Sequence, residues 1–105
     1  MRILFDQGVP VPLRRYLTGH TIATAYERGW ANLSNGDLIQ AAELEFELLV
    51  TTDQNLRYQQ NLTGRRIAIL VLSTTRWPEI QLNADRVLAA VNTMKPGEFR
   101  ELNWS

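Results

Sequence analysis

A chain of 105 residues with 45% hydrophobic content falls at the commonest size for one domain and can bury a core of its own. Its 11 basic and 11 acidic side chains cancel, which excludes the global positive field that draws highly basic proteins onto nucleic acid without specificity. With no cysteine, disulfides, thiolate metal sites and cysteine nucleophiles are excluded together, so any metal must be held by oxygen or histidine.

No stretch approaches the roughly 18 consecutive apolar residues of a membrane span. The N-terminal run Ile3-Leu4-Phe5 stops at Asp6, without the long apolar region and small-residue cleavage site of a secretory signal. One soluble, cytoplasmic domain covering residues 1–105 is the expectation. Locally the charge is uneven: Arg14 and Arg15, then Arg57, Arg65 and Arg66, form small basic groups whose planar guanidinium forks suit phosphate. Groups of this size are also ordinary solvated surface.

Along the chain, Arg2 to Phe5 reads as a buried strand ending at Asp6-Gln7-Gly8, a run that favours turns. Pro10 and Pro12 suit the first turn of a short helix carrying Leu13, Tyr16 and Leu17 up to Gly19. His20 to Ala25 reads as a second strand, and Glu27 to Ala31 as a turn. After Ser34-Asn35-Gly36-Asp37, the apolar positions Leu38, Ile39, Ala41, Ala42 and Leu44 repeat near period 3.6 and predict a second helix to about Glu47. Leu48 to Thr52 is a third strand running into Asp53, and Gln54 to Asn61 holds one or two helical turns. Arg66 to Leu72 is the strongest strand signal and predicts a central position, covered on both faces. One helix is expected from Pro78 to about Thr93, stopped by Pro96-Gly97, followed by an edge strand from Glu98 to Leu102. Strands alternating with helices imply a parallel sheet of about four to five strands with right-handed crossovers, in a three-layer α/β/α fold.

In such a sheet the functional crevice lies beyond the carboxyl ends of the strands, where the strand order reverses. Asp6 and Asp53 each follow an apolar strand, and Asp37 stands in the first turn of the helix feeding the third strand. Three carboxylates at one rim repel one another, and a divalent cation, magnesium or manganese, relieves the repulsion. Each acid also has a local role: Asp6 as a turn residue, Asp53 as a cap accepting from Asn55 or Leu56, Asp37 within the capping pattern Ser34-x-x-Asp37. His20, the single histidine, reads as structural. Trp30, Trp77 and Trp104 read as core residues before stacking platforms. A receiver-like phosphoacceptor lacks a suitably placed lysine, since the lone Lys95 falls at the end of the last helix, and no Gly-x-Gly-x-x-Gly marks a dinucleotide site.

The segments Ile3-Leu4-Phe5-Asp6-Gln7-Gly8-Val9-Pro10, Gly29-Trp30-Ala31, Asn35-Gly36-Asp37-Leu38, Leu49-Val50-Thr51-Thr52-Asp53-Gln54-Asn55-Leu56, Tyr58-Gln59-Gln60-Asn61-Leu62 and Arg76-Trp77-Pro78 together resemble the compact PIN-like family. The resemblance covers nearly the whole chain and implies a Rossmann-like PIN fold. It also implies a metal-dependent ribonuclease, the toxin of a toxin–antitoxin pair, with RNA as substrate, a small antitoxin as partner and a homodimer as the assembly. Asp6 and Asp53 match the family's strand-end acids and Asp37 its helix-start acid. Glu79, Asp85, Glu98 and Glu101 give no match to the family's fourth acid, which leaves two-metal chemistry without its full ligand set. Gln7, Thr51, Thr52 and Asn55 are placed around the metal, orienting carboxylates or phosphate oxygens, or else bonding turns and caps. Arg57 and Tyr58, with Arg14 and Arg15, are the residues placed against nucleic acid. The competing reading is a non-catalytic PIN-like module that binds protein or nucleic acid.

Overall fold

A computed structural model describes residues 1–56 and 64–104. Among them five strands, β1 (Arg2–Phe5), β2 (Thr21–Thr24), β3 (Leu48–Thr51), β4 (Ala68–Leu72) and β5 (Phe99–Leu102), form one sheet in the order β2-β1-β3-β4-β5. Every pairing is parallel, with Ile3 beside both Ile22 and Leu48, and Leu70 beside both Val50 and Arg100. β4 is buried throughout, as expected from its unbroken apolar run, but it is an interior strand beside the edge strand β5, and the central place is taken by β3.

Alternation along the strands divides the core into two layers. Ile3, Phe5, Leu48, Val50, Leu70 and Leu72 point to one face. Leu4, Leu49, Ile69 and Val71 point to the other. The first face is covered by a 3-10 turn, η1 (Val11–Tyr16), and two helices, α2 (Trp77–Leu82) and α3 (Ala84–Thr93). Leu38, Ile39 and Ala42 of α1 (Asn35–Glu43) cover the second. The result is the expected three-layer α/β/α arrangement. Among the described residues no helix is long and apolar enough to cross a membrane.

The helices depart from the sequence reading in three places. The first is wound as 3-10: Pro10 at its cap and Pro12 in its first turn restrict the backbone, and Pro12 brings no N–H; its closing bond runs from Leu17 N–H to the Arg14 carbonyl at 3.3 Å. Second, α1 stops at Glu43, short of Glu47. There the chain turns so that Phe46 is buried while Leu44, read as a core position, is 80% exposed. Third, the single helix expected from Pro78 to Thr93 is broken at Asn83. The Asn83 side chain donates to the Glu79 carbonyl at 2.9 Å, occupying the acceptor that a continuous helix would offer the Asn83 N–H. That N–H instead closes on Ile80 at 3.0 Å.

The crossovers are not all of one hand. From β2 to β3 and from β4 to β5 the chain moves in the same direction across the sheet, yet α1 and the α2–α3 pair lie on opposite faces. Two such connections must have opposite handedness, so the right-handed rule fails for one of them. The physical need is visible in the core: η1 is short, and α2 with α3 supplies Ile80, Ala84, Val87 and Val91 to the layer it leaves bare.

Where α1 ends, the Glu43 carboxylate accepts from the N–H groups of Arg66 at 2.7 Å and Ile67 at 3.4 Å and pairs with Arg65 at 3.6 Å, tying the helix to the entrance of β4. Burial pushes this carboxyl up, but those N–H donors and the charges of Arg65 and Arg66 outweigh it and hold the group below the ordinary value of 4.5. A depressed carboxyl contributes stability above its unfolded value and loses it as pH falls through the folded one. The melting temperature of Glu43→Gln should therefore lie below that of the parent near neutral pH, and the gap should close below about pH 4. Thermal melts over that range check it.

Candidate functional site

The chain leaves β1 toward β2 on one side and returns to β3 on the other, so the switch point of the sheet lies between the carboxyl ends of β1 and β3. Asp6 follows β1 directly, and its N–H donates to the Val50 carbonyl of β3 at 2.9 Å. Thr51, only 1% exposed, closes β3, with Asp53 two residues on. The Thr51 hydroxyl donates to Asp6 Oδ2 at 2.8 Å and accepts from the Asp53 N–H at 3.1 Å. One buried hydroxyl thus spans the two strand-end acids.

The remaining carboxylate oxygens are also engaged. Asp6 Oδ1 accepts from the Gln7 N–H at 2.8 Å, and Asp53 Oδ1 from the Asn55 N–H at 2.9 Å. Asp53 Oδ2 accepts from Asn35 Nδ2 at 2.6 Å, which joins the start of α1 to the rim. Each oxygen of an ionised carboxylate can accept about two bonds, so these contacts fix both acids without exhausting them. Both are half-buried.

Asn35 and Gln54 are the contributors that sequence reasoning passed over. Gln54 Nε2 donates to the Leu72 carbonyl at 2.5 Å, binding the loop after β3 to the end of β4. The signal for Asn35 was present in the cap: Ser34 Oγ accepts from the Asp37 N–H at 3.3 Å, which makes Asn35 the first helical residue at this rim.

The other expected site residues divide. Asp37 is exposed in the first turn of α1, where its N–H takes the Ser34 cap. Among the described residues no three or more His, Asp or Glu side chains come together as a group able to hold a metal, so the three-acid cluster expected from the sequence is not assembled there. Gln7 and Asn55 serve through their backbone N–H groups. Arg14 is committed to Glu27 at 2.5 Å, while Arg15 beside it is exposed. Arg57 and Tyr58 lie outside the described residues. His20 is held structurally, its Nε2 2.7 Å from Asn92 Oδ1. Trp30, Trp77 and Trp104 pack partly buried against the two core layers.

Thr52 sets how closely the two acid-bearing loops approach. A Cβ at Gly8 would stand 2.4 Å from Thr52 Oγ1 but 3.7 Å from Thr52 Cβ. Gly8→Ala is therefore expected to destabilise the fold by about 1–3 kcal/mol, as overpacking does, and Thr52→Ala to remove most of that cost. A double-mutant cycle by chemical denaturation measures the coupling.

Asp6 and Asp53 are each anchored at this rim, and a magnesium-type ion needs only one or two direct carboxylates, keeping water and substrate oxygens for the rest. They do not form a closed all-protein cage. A cavity of about 460 Å³ lies elsewhere, at the amino-terminal ends of the strands, between Arg2, Phe46, Ile67 and Met94. No protein-family model, curated protein or solved structure matches the chain.

Proposed function

We propose that the chain is a PIN-like, divalent-metal-dependent ribonuclease that hydrolyses RNA phosphodiester bonds at the rim between β1 and β3. The observation that supports this most is the Asp6–Thr51–Asp53 linkage, in which one buried hydroxyl holds the Asp6 carboxylate and the Asp53 backbone N–H together at the sheet's switch point. Asp6 and Asp53 would hold magnesium or manganese, which when bound supplies charge neutralisation at the phosphate and an activated water. Thr51 and Asn35 keep the two carboxylates oriented, and Asp37 adds negative charge on the α1 side of the rim. The toxin role, the small antitoxin partner and the homodimer belong to the same reading and rest on the sequence resemblance.

A second reading, a non-catalytic binding module, is favoured by the local bonding of Asp53 and Asp37, which occupy turn and cap positions at short range. One experiment separates the two. Purified, partner-free protein is incubated with an end-labelled RNA pool in magnesium or manganese, beside an EDTA control. Metal-dependent fragments are the expected result; intact RNA in every lane, with protein shown to be folded, would replace the nuclease by the binding module.

A further inference from the structure

The cavity of about 460 Å³ falls within the range of roughly 300–1,000 Å³ typical of small-molecule sites. It lies at the opposite end of the sheet from Asp6 and Asp53, and its floor is apolar: Phe46 and Met94 are 6% exposed and Ile67 is 2% exposed. Its edge carries Arg2, Arg66 and Lys95 against Glu43, Glu45 and Glu47.

These charges are unequally committed. Glu43 is taken by the N–H groups of Arg66 and Ile67 and by Arg65, Glu45 by Arg28, and Glu47 by the Arg2 N–H. The Arg2 guanidinium lies over the Phe46 ring, 5.4 Å from its centroid. Among the described residues the side chains of Arg66 and Lys95 make no hydrogen bond or ion pair; they act on Glu43 and Glu98 only through space.

The ends of α1 and α3 oppose this positive charge with about half a negative charge each. Arg28 and Arg65 each bring a full positive charge to the carboxylates at the edge. The surplus is positive, and it sits beside an apolar floor.

We propose that this cavity binds a small amphipathic anion, its aromatic or aliphatic body on Phe46, Ile67 and Met94 and its carboxylate or phosphate against Arg66 and Lys95. The site is independent of the metal rim and of any nuclease activity.

The test is titration of the full chain with 1-naphthoate, 1-naphthyl phosphate and the neutral 1-naphthalenemethanol, followed by amide chemical shifts in two-dimensional NMR. At least one anion is expected to bind about tenfold or more tighter than the alcohol, as charge-assisted hydrogen bonds require, with shifts centred on Phe46, Ile67 and Lys95. Comparing the two anions identifies the head group. Arg66→Gln combined with Lys95→Gln should erase the preference for the anion while leaving the alcohol unchanged. Raising the salt concentration on the parent protein should narrow the same preference without any substitution. Equal binding of anion and alcohol, shifts centred on Asp6 and Asp53, or no shifts at all would each overturn the proposal.

Discussion

Asp6→Asn and Asp53→Asn are each expected to lower metal-dependent RNA cleavage by about a hundredfold or more, the rate equivalent of losing several kcal/mol of charge stabilisation at the phosphate. Asparagine keeps the shape of aspartate, so the loss reports on charge and metal affinity. At position 53 the change also has a structural cost that can be anticipated. The aspartate accepts from both the Asn55 N–H and the Asn35 amide, and an asparagine offers only one acceptor oxygen, so one donor is left facing another. That mismatch should cost about 1–3 kcal/mol of stability, small enough for the variant to remain folded. Circular dichroism and chemical denaturation on the same preparations separate loss of chemistry from loss of structure. Folded variants that still cut RNA at the parent rate would remove both acids from the mechanism.

Leu70→Ala should have the largest effect on stability. Leu70 is fully buried at the middle of β4, between Val50 of β3 and Arg100 of β5, and its side chain belongs to the layer beneath η1, α2 and α3. Truncation of such a leucine removes transfer energy and leaves a cavity, costing about 2–5 kcal/mol. Against a typical total of about 5–15 kcal/mol, much of the folded population's margin is lost. Leu82→Ala is the matched control: Leu82 is 84% exposed, and its truncation should stay within about 0.5 kcal/mol. A midpoint in urea unchanged by Leu70→Ala would refute the assignment of β4 to the centre of the core.

What could be read from the sequence was mainly what a strand does to its own neighbours. The runs Ile3 to Phe5 and Leu48 to Thr51 are apolar enough to be buried, and each ends near an aspartate, so the placement of Asp6 and Asp53 at strand ends followed from hydrophobicity alone. The bonds that join them did not. Thr51 to Asp6 spans 45 residues and Asn35 to Asp53 spans 18, and both depend on strand order and helix placement that no local pattern encodes. The break at Asn83 was hidden because Ile80, Ala84, Val87 and Val91 keep an unbroken helical spacing across it. Leu44 misled for the reverse reason: it fits the period of α1 but falls after the helix has ended. The hand of the last crossover is a property of which face needs covering, and hydrophobic periodicity carries no information about it.

That crossover bears on how the molecule is put together in time. Because α2 and α3 lie on the same face as η1, Tyr16 meets Trp77 and Gln81, and His20 meets Asn92. The two hydrogen bonds join residues 65 and 72 positions apart. Such contacts return nothing until nearly the whole chain has been gathered, and the entropy of closing so long a loop must be met first. The layer of Leu38, Ile39 and Ala42 on β3 closes over a much shorter span of chain. The loop-closure cost is therefore greater for the contacts that fasten the beginning of the chain to its last helix than for those of α1 on β3.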